Sequence, residues 1–291
     1  MSCHGTVDDV SEIPAFLANI RRGRPTPAHV IDEVTSRFQQ IGGSPLMRIT
    51  AAQAKALGDR LGLPAYVAAR LWHPYPSEAF AKLAKDGITR VLSFPLAPQS
   101  VDVYHASVRE AAAQHPSIEL LTVPAWGTEP LLIDAFVESI DEALARFPEE
   151  TRREVALVLS AHSLPQRVIA MGDPYEAQFR EMADLVAARF SARGNPTCVA
   201  FQSQGMTGDA WLGPDLQTTF ERLVAQGSRD VLVAPIGFVA EHVETLYDID
   251  IEAVALAKHK GLARLERMPA MDTRPRFIDA LEAVARRALG E

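Results

Sequence analysis

The chain has 291 residues, of which 47% are hydrophobic and 23% charged, with a formal net charge of −8. This is enough chain for two globular domains, each with its own core. The acidic balance, with no basic block longer than Arg21-Arg22-Gly23-Arg24, speaks against a nucleic-acid partner, and no apolar run reaches the roughly 18 residues a membrane span needs.

The N-terminus lacks the charged and apolar regions of a signal peptide, so a cytoplasmic protein without a transmembrane segment is expected. Cys3 and Cys198 are the only cysteines. Two thiols fit a reducing compartment and exclude a four-cysteine zinc or iron–sulfur site within one chain.

In chain order, Met1-Ser2-Cys3-His4-Gly5-Thr6 reads as the end of a strand whose earlier residues are missing, which points to a late-assigned start codon. Helical patterning follows over 13–20 and 27–40, with Thr26 as cap and Pro27 in the first turn. After the turn Ile41-Gly42-Gly43-Ser44-Pro45-Leu46 come a helix over 50–61, a strand over 65–72, a helix over 78–86 and a strand over 90–96. A helix near 107–114 and a strand over 118–123 complete the first half. A helix over 130–147 opens the second half, followed by strands over 155–161, 197–202, 230–236 and 263–267, separated by helices, and an amphipathic helix over 276–289. Strand and helix alternate throughout, which predicts an α/β protein with two parallel sheets and right-handed crossovers. Neither a phosphate-binding loop, a Gly-x-Gly-x-x-Gly turn nor a Gly-x-Ser-x-Gly elbow is present.

The stretch from Asp230 to Glu252 carries the most chemistry. Val231, Leu232, Val233, Ala234 and Ile236 form an unbroken apolar run, the pattern of a strand covered on both faces. Beyond Pro235 and Gly237, residues 238–252 have helical spacing, and Glu244, Asp248 and Glu252 recur every fourth residue as one file of carboxylates. A row of acids on a helix usually faces water. This one begins at the C-terminal tip of a parallel strand, where open α/β sheets bind ligands, and has His242 beside it. The strand over 155–161 ends in Ser160-Ala161-His162-Ser163-Leu164-Pro165, which puts His162 on the same sheet edge as Phe238 and Glu244. A histidine and a glutamate converging there could move protons or hold a metal. Trp211, in a further strand-end loop, suits either hydrophobic anchoring or a flat wall for a planar ligand.

Taken in order, Ser160-Ala161-His162-Ser163-Leu164-Pro165, Gly172-Asp173-Pro174-Tyr175, Gln202-Ser203, Trp211-Leu212-Gly213-Pro214 and Gly237-Phe238 to Asp250 resemble the ferrochelatase family. Residues 41–46 and the Arg21-Arg22-Gly23-Arg24 run extend the resemblance over nearly the whole chain. It implies two similar Rossmann-like, chelatase-type domains, 1–125 plus 275–291 and 126–274. Each would be a four-stranded parallel sheet flanked by helices, with the porphyrin cleft between them and the C-terminal helix packed back on the first domain.

The implied reaction is insertion of Fe2+ into a porphyrin in haem biosynthesis. On that pattern His162 and Glu244 are the catalytic pair and metal ligands, Asp248 and Glu252 form an acidic proton or metal path, and Trp211 and Phe238 border the macrocycle. Closest in form is the bacterial branch acting on coproporphyrin III rather than protoporphyrin IX, which would set Arg21, Arg22, Ser44 and Tyr104 against propionates. His4 stands where that branch has a tyrosine and would bind the metal from the opposite face. Porphyrin and ferrous iron are then the substrates, with no tightly bound cofactor and no iron–sulfur cluster, and a haem-accepting protein is the expected transient partner. A cobalt or nickel chelatase of another tetrapyrrole and a non-catalytic tetrapyrrole carrier are the alternatives. A carrier needs the aromatic wall and the arginines but not the acidic file.

Overall fold

A computed structural model describes residues 1–205 and 208–291. Strands and helices alternate along it, and every strand pairing is parallel. The chain divides into two compact units, residues 1–126 with 272–291, and residues 127–271. Among the described residues, no helix is long and apolar enough to cross a membrane.

The first unit contains β1 (Ser2–Cys3), β2 (Ala68–Ala69), β3 (Arg90–Ser93) and β4 (Glu119–Thr122), arranged as two two-stranded sheets, β1-β2 and β3-β4. The family resemblance implies a single four-stranded sheet here, and the structure corrects this. Because β1 contributes only two paired residues, its link to β3 shrinks to one bridge, Ser2 opposite Pro95. Two bonds make that bridge: Ser2 N–H donates to the Phe94 carbonyl at 2.8 Å, and Leu96 N–H donates to the Ser2 carbonyl at 2.7 Å. For the same reason the strand expected over 65–72 pairs only at Ala68 and Ala69.

Helices Pro76–Lys85 and Asp102–Ala112 bury Phe80, Leu83, Val108 and Ala111 with Ile118. The C-terminal helix Pro275–Leu289 lies in this unit and packs on helix Leu46–Leu61, where Arg60 meets Asp279 at 2.9 Å and Glu282 at 3.5 Å. Gly58 lets the chain turn back over the end of helix Leu46–Leu61, because a Cβ there would come within 2.8 Å of the Leu63 carbonyl oxygen.

The second unit is a four-stranded parallel sheet in the order β6-β5-β7-β8, from β5 (Ala156–His162), β6 (Thr197–Gln202), β7 (Asp230–Ala234) and β8 (Arg264–Arg267). Residues 156–161 of β5, five apolar residues and Ser160, are all buried, as in a strand covered by helices on both faces. Val158, Ala200, Phe220, Val231, Val233 and Ile249 form the core on one face. Each fully buried side chain of valine or phenylalanine size contributes about 1.5–3 kcal/mol relative to exposure. The chain leaves β5 for β6 on one side and returns for β7 on the other, so the direction of winding reverses at β5. In open α/β sheets the crevice at such a reversal, outside the carboxyl ends of the strands, is where ligands bind.

Candidate active site

His162 is the last residue of β5 and is paired with Gln202, the last residue of β6. β7 ends opposite Leu159, three strand positions short of it, and the chain then turns through Pro235, Ile236 and Gly237. A Cβ on Gly237 would sit 2.5 Å from Ala161 Cβ, so only glycine lets this turn cross directly over the tip of β5. Gly237 N–H donates to the Ser160 carbonyl at 3.0 Å and fixes the crossing. The turn delivers Glu244 above His162, and His162 Nδ1 and Glu244 Oε2 are 2.8 Å apart. With Nδ1 donating to the carboxylate, Nε2 is left as the basic atom.

Burial works against a charged His162. The charge of Glu244, the hydrogen bond to it and the charge of Asp248 together outweigh burial, and the pKa of His162 is raised. His242, packed on the Phe238 ring at 4.6 Å between centroids, behaves in the opposite way. Burial lowers its pKa despite Glu244 and Glu241, and the neighbouring His162 lowers it further. Its Nδ1 bonds the Ala240 carbonyl at 3.1 Å, and its Nε2 lies 3.9 Å from Glu244 Oε2. Two imidazoles therefore flank one carboxylate, with pKa values pushed apart.

The sequence spacing predicts one helix over 238–252, and the structure breaks it. Residues 238–242 are irregular with a bend at Val239 and Ala240, Val243–Leu246 is a single helical turn, Asp248–Ala253 is a π-helix and Val254–Lys260 is α-helical. The Thr245 hydroxyl accepts the His242 N–H, which starts the helix five residues late. The wider turn shows where Glu252 N–H reaches back five residues to the Tyr247 carbonyl at 3.0 Å. Glu244 is half-buried, Asp248 is buried and Glu252 is exposed, so the file runs from the histidine pair towards solvent. The Ser203 hydroxyl donates to Asp248.

Two acids of the stretch are occupied elsewhere. Arg267, at the end of β8, bonds Asp250 through Nε at 2.7 Å and a terminal nitrogen at 2.9 Å, and bonds Glu241 at 2.8 Å. Glu241 also accepts the Ala270 N–H and the Thr245 hydroxyl. Burial pushes the Glu241 carboxyl up, but Arg267 and these donors hold it below the usual carboxylate range. One guanidinium thus clamps the segment on both sides of Glu244 and Asp248.

Gln202 and Tyr175 complete the frame. Gln202 donates to the Glu244 carbonyl at 3.1 Å and accepts from the Ser160 hydroxyl at 2.7 Å. The Tyr175 hydroxyl donates to the His162 carbonyl at 2.9 Å. The sequence contains both residues within recognisable motifs but nothing in it assigns them a role. Arg267 carries no sequence signal beyond its place at a strand end.

Trp211 bridges Pro165 in the loop beside this edge, and its ring lies against Gly205, where a Cβ would come within 2.9 Å. Its indole nitrogen is buried with no acceptor among the described residues. The remaining residues singled out from sequence belong to the first unit. There His4 is exposed with Nδ1 3.2 Å from the Gly5 carbonyl, Arg21 bonds the Pro25 carbonyl at 3.2 Å, and Arg22 is exposed in a left-handed conformation. Ser44 has a buried hydroxyl without a partner among the described residues, and Tyr104 is half-buried. Among the described residues, no three His, Cys, Asp or Glu side chains are arranged to hold a metal ion.

Among solved structures, the chain is similar to SirB from Bacillus subtilis with Fe3+, with a TM-score of 0.61 at 15% identity over 83% of this chain and 88% of that one. It is also similar to CbiX, the terminal enzyme for sirohaem biosynthesis in denitrifying bacteria, with a TM-score of 0.56 at 17% identity over 84% and 92%. At these identities the likeness defines the fold as that of the chelatases. The ferrochelatase family model matches residues 2–289. A ferrochelatase from Deinococcus radiodurans is 38% identical over 99% of this chain and 94% of its own length. A coproporphyrin III ferrochelatase from Bacillus subtilis is 35% identical over 99% and 96%. The chain belongs to the ferrochelatase family: it is a metal chelatase, a lyase of haem biosynthesis.

Proposed function

We propose that this ferrochelatase inserts Fe2+ into coproporphyrin III in preference to protoporphyrin IX, using His162 and Glu244 as the reacting pair. The observation that carries the mechanism is the 2.8 Å contact between His162 Nδ1 and Glu244 Oε2. Metallation requires a porphyrin to lose two N–H protons and Fe2+ to shed water. Nε2 of His162 takes a pyrrole proton, and the imidazolium that forms is stabilised by the Glu244 carboxylate already in contact with Nδ1. The raised pKa of His162 makes its imidazole the stronger base of the two histidines. Asp248, buried next in the file, and Glu252, exposed beyond it, lead charge to solvent as protons leave or hydrated iron arrives. His242, whose pKa burial lowers, is the weaker base and does not compete with His162 for the proton.

The preference for coproporphyrin III rests on two supports. Arg21 and Arg22 lie beside the exposed Arg24, a cationic run suited to carboxylates, and coproporphyrin carries four propionates where protoporphyrin carries two. Several relatives at about 35% identity are coproporphyrin III ferrochelatases. The test is anaerobic turnover with Fe2+ and each porphyrin, followed by loss of porphyrin fluorescence. A higher kcat/KM for coproporphyrin III that collapses in Arg21→Ala/Arg22→Ala is the expected result. A preference for protoporphyrin IX, or no response to the arginine changes, refutes the assignment of substrate.

A further inference from the structure

Backbone groups along one edge of a strand alternate with a period of two, so the Ser160 and His162 carbonyls face the same side of β5. Ser160's carbonyl receives the Gly237 N–H at 3.0 Å. β7 has ended by this point, and the Tyr175 hydroxyl donates to the His162 carbonyl at 2.9 Å, adding a side-chain rung at the strand end. A half-buried carbonyl at a strand end needs such a donor. Tyr175 is well placed to give it. It is the first residue of helix Tyr175–Ser191, its own N–H is fixed by the Asp173 carboxylate at 2.9 Å, and the helix is anchored by the buried Phe179, Met182 and Val186. On the other side of the pair, Gln202 holds the Glu244 carbonyl in the same manner.

We propose that Tyr175 is a positioning residue for metal insertion, fixing through the His162 carbonyl the plane in which the imidazole leaves the sheet and meets Glu244. This rests on the reading of His162 and Glu244 as the reacting pair. It also gives a role to the Gly172-Asp173-Pro174-Tyr175 motif, in which Asp173 sets the helix start and the tyrosine uses it. Without the hydroxyl the packing of the ring is kept, and only the rung is lost.

The experiment compares Tyr175→Phe with Tyr66→Phe, which removes an exposed bond to Asp86 at 2.8 Å in the other unit, and with His162→Ala. A misplacement of a reacting group by about 1 Å costs on the order of 10²-fold, so Tyr175→Phe lowers kcat by at least about fivefold, with porphyrin Kd within about twofold of the parent. Tyr66→Phe leaves both unchanged. An activity-independent signature accompanies the loss: the hydrogen-bonded Nδ1 proton of His162 shifts or broadens in the NMR spectrum of Tyr175→Phe but not of Tyr66→Phe. A kcat loss smaller than about fivefold, an unchanged His162 resonance, or a porphyrin Kd that rises as steeply as kcat falls overturns the proposal. If His162→Ala still inserts metal, the reading of the pair itself fails. If it is inactive while Tyr175→Phe keeps its kcat, only the role of Tyr175 fails.

Discussion

Replacing Arg267 by methionine tests whether the acidic stretch is held in place by a single guanidinium. Methionine keeps much of the apolar stem and removes the charge. Arg267 is 11% exposed and Glu241 14%, while Asp250 is 38% exposed. Removing one partner of a buried ion pair costs about 3–5 kcal/mol, because the other charge stays buried without compensation. Asp250 can rehydrate, so its share falls towards the ~0.2–1 kcal/mol of a surface pair. Glu241 cannot, although the Ala270 N–H and Thr245 hydroxyl still serve it, which places the total near the lower bound, at about 3 kcal/mol. Urea denaturation read by circular dichroism should show that loss, with a thermal midpoint lower by ~6–12 °C. The loss should shrink when Glu241 is already glutamine, with a coupling of about 1–3 kcal/mol, since the stranded charge is then gone. A destabilisation under about 1 kcal/mol, or strict additivity of the two changes, would refute the clamp.

Further predictions concern the histidines. In Glu244→Gln the charge and bond of Glu244 are removed and only Asp248 is left to oppose burial, so the pKa of His162 falls relative to the parent. An NMR titration showing no fall would contradict the electrostatic account. His162 with its raised pKa contributes stability that is complete below the unfolded value and is lost as pH rises through the folded one, whereas His105 has the opposite sign. His105 is buried, bonded to the Ser93 hydroxyl and the Val123 carbonyl at 2.9 Å each, and its pKa is lowered chiefly by burial. Its contribution is present above 6.5 and is lost as pH falls through the depressed folded value. His105→Leu should therefore flatten the decline in stability below pH 6.5 relative to the parent, and parallel pH–stability curves would exclude this role.

The sheet of the second unit is legible because its strands are buried on both faces and write themselves as apolar runs; β6 has the expected bounds, 197–202. The first unit is harder to read. Residues 65–72 have strand-like composition, but pairing is a tertiary event, and β1 offers a partner only to Ala68 and Ala69. The acidic file is visible as a period of four, while the late helix start at His242 and the π-turn after Tyr247 depend on the Thr245 cap and on anchoring by Arg267. His162 announces itself as a polar residue at a strand tip, and Glu244 as the first acid of the file that follows β7. The residues that hold them do not: Gln202 reaches across 42 positions to a backbone carbonyl, Arg267 across 26 to Glu241, and Tyr175 across 13 to His162. Carbonyl acceptors carry no residue identity, so a sequence pattern cannot disclose such contacts.

The central claim is that the His162–Glu244 pair carries metal insertion. Its most direct test is anaerobic, single-turnover insertion of Fe2+ into coproporphyrin III by the parent protein and by His162→Ala, with porphyrin binding measured separately by fluorescence. The account predicts that His162→Ala binds the porphyrin with near-parental affinity and inserts no iron. Insertion by His162→Ala at a rate comparable to the parent would contradict it.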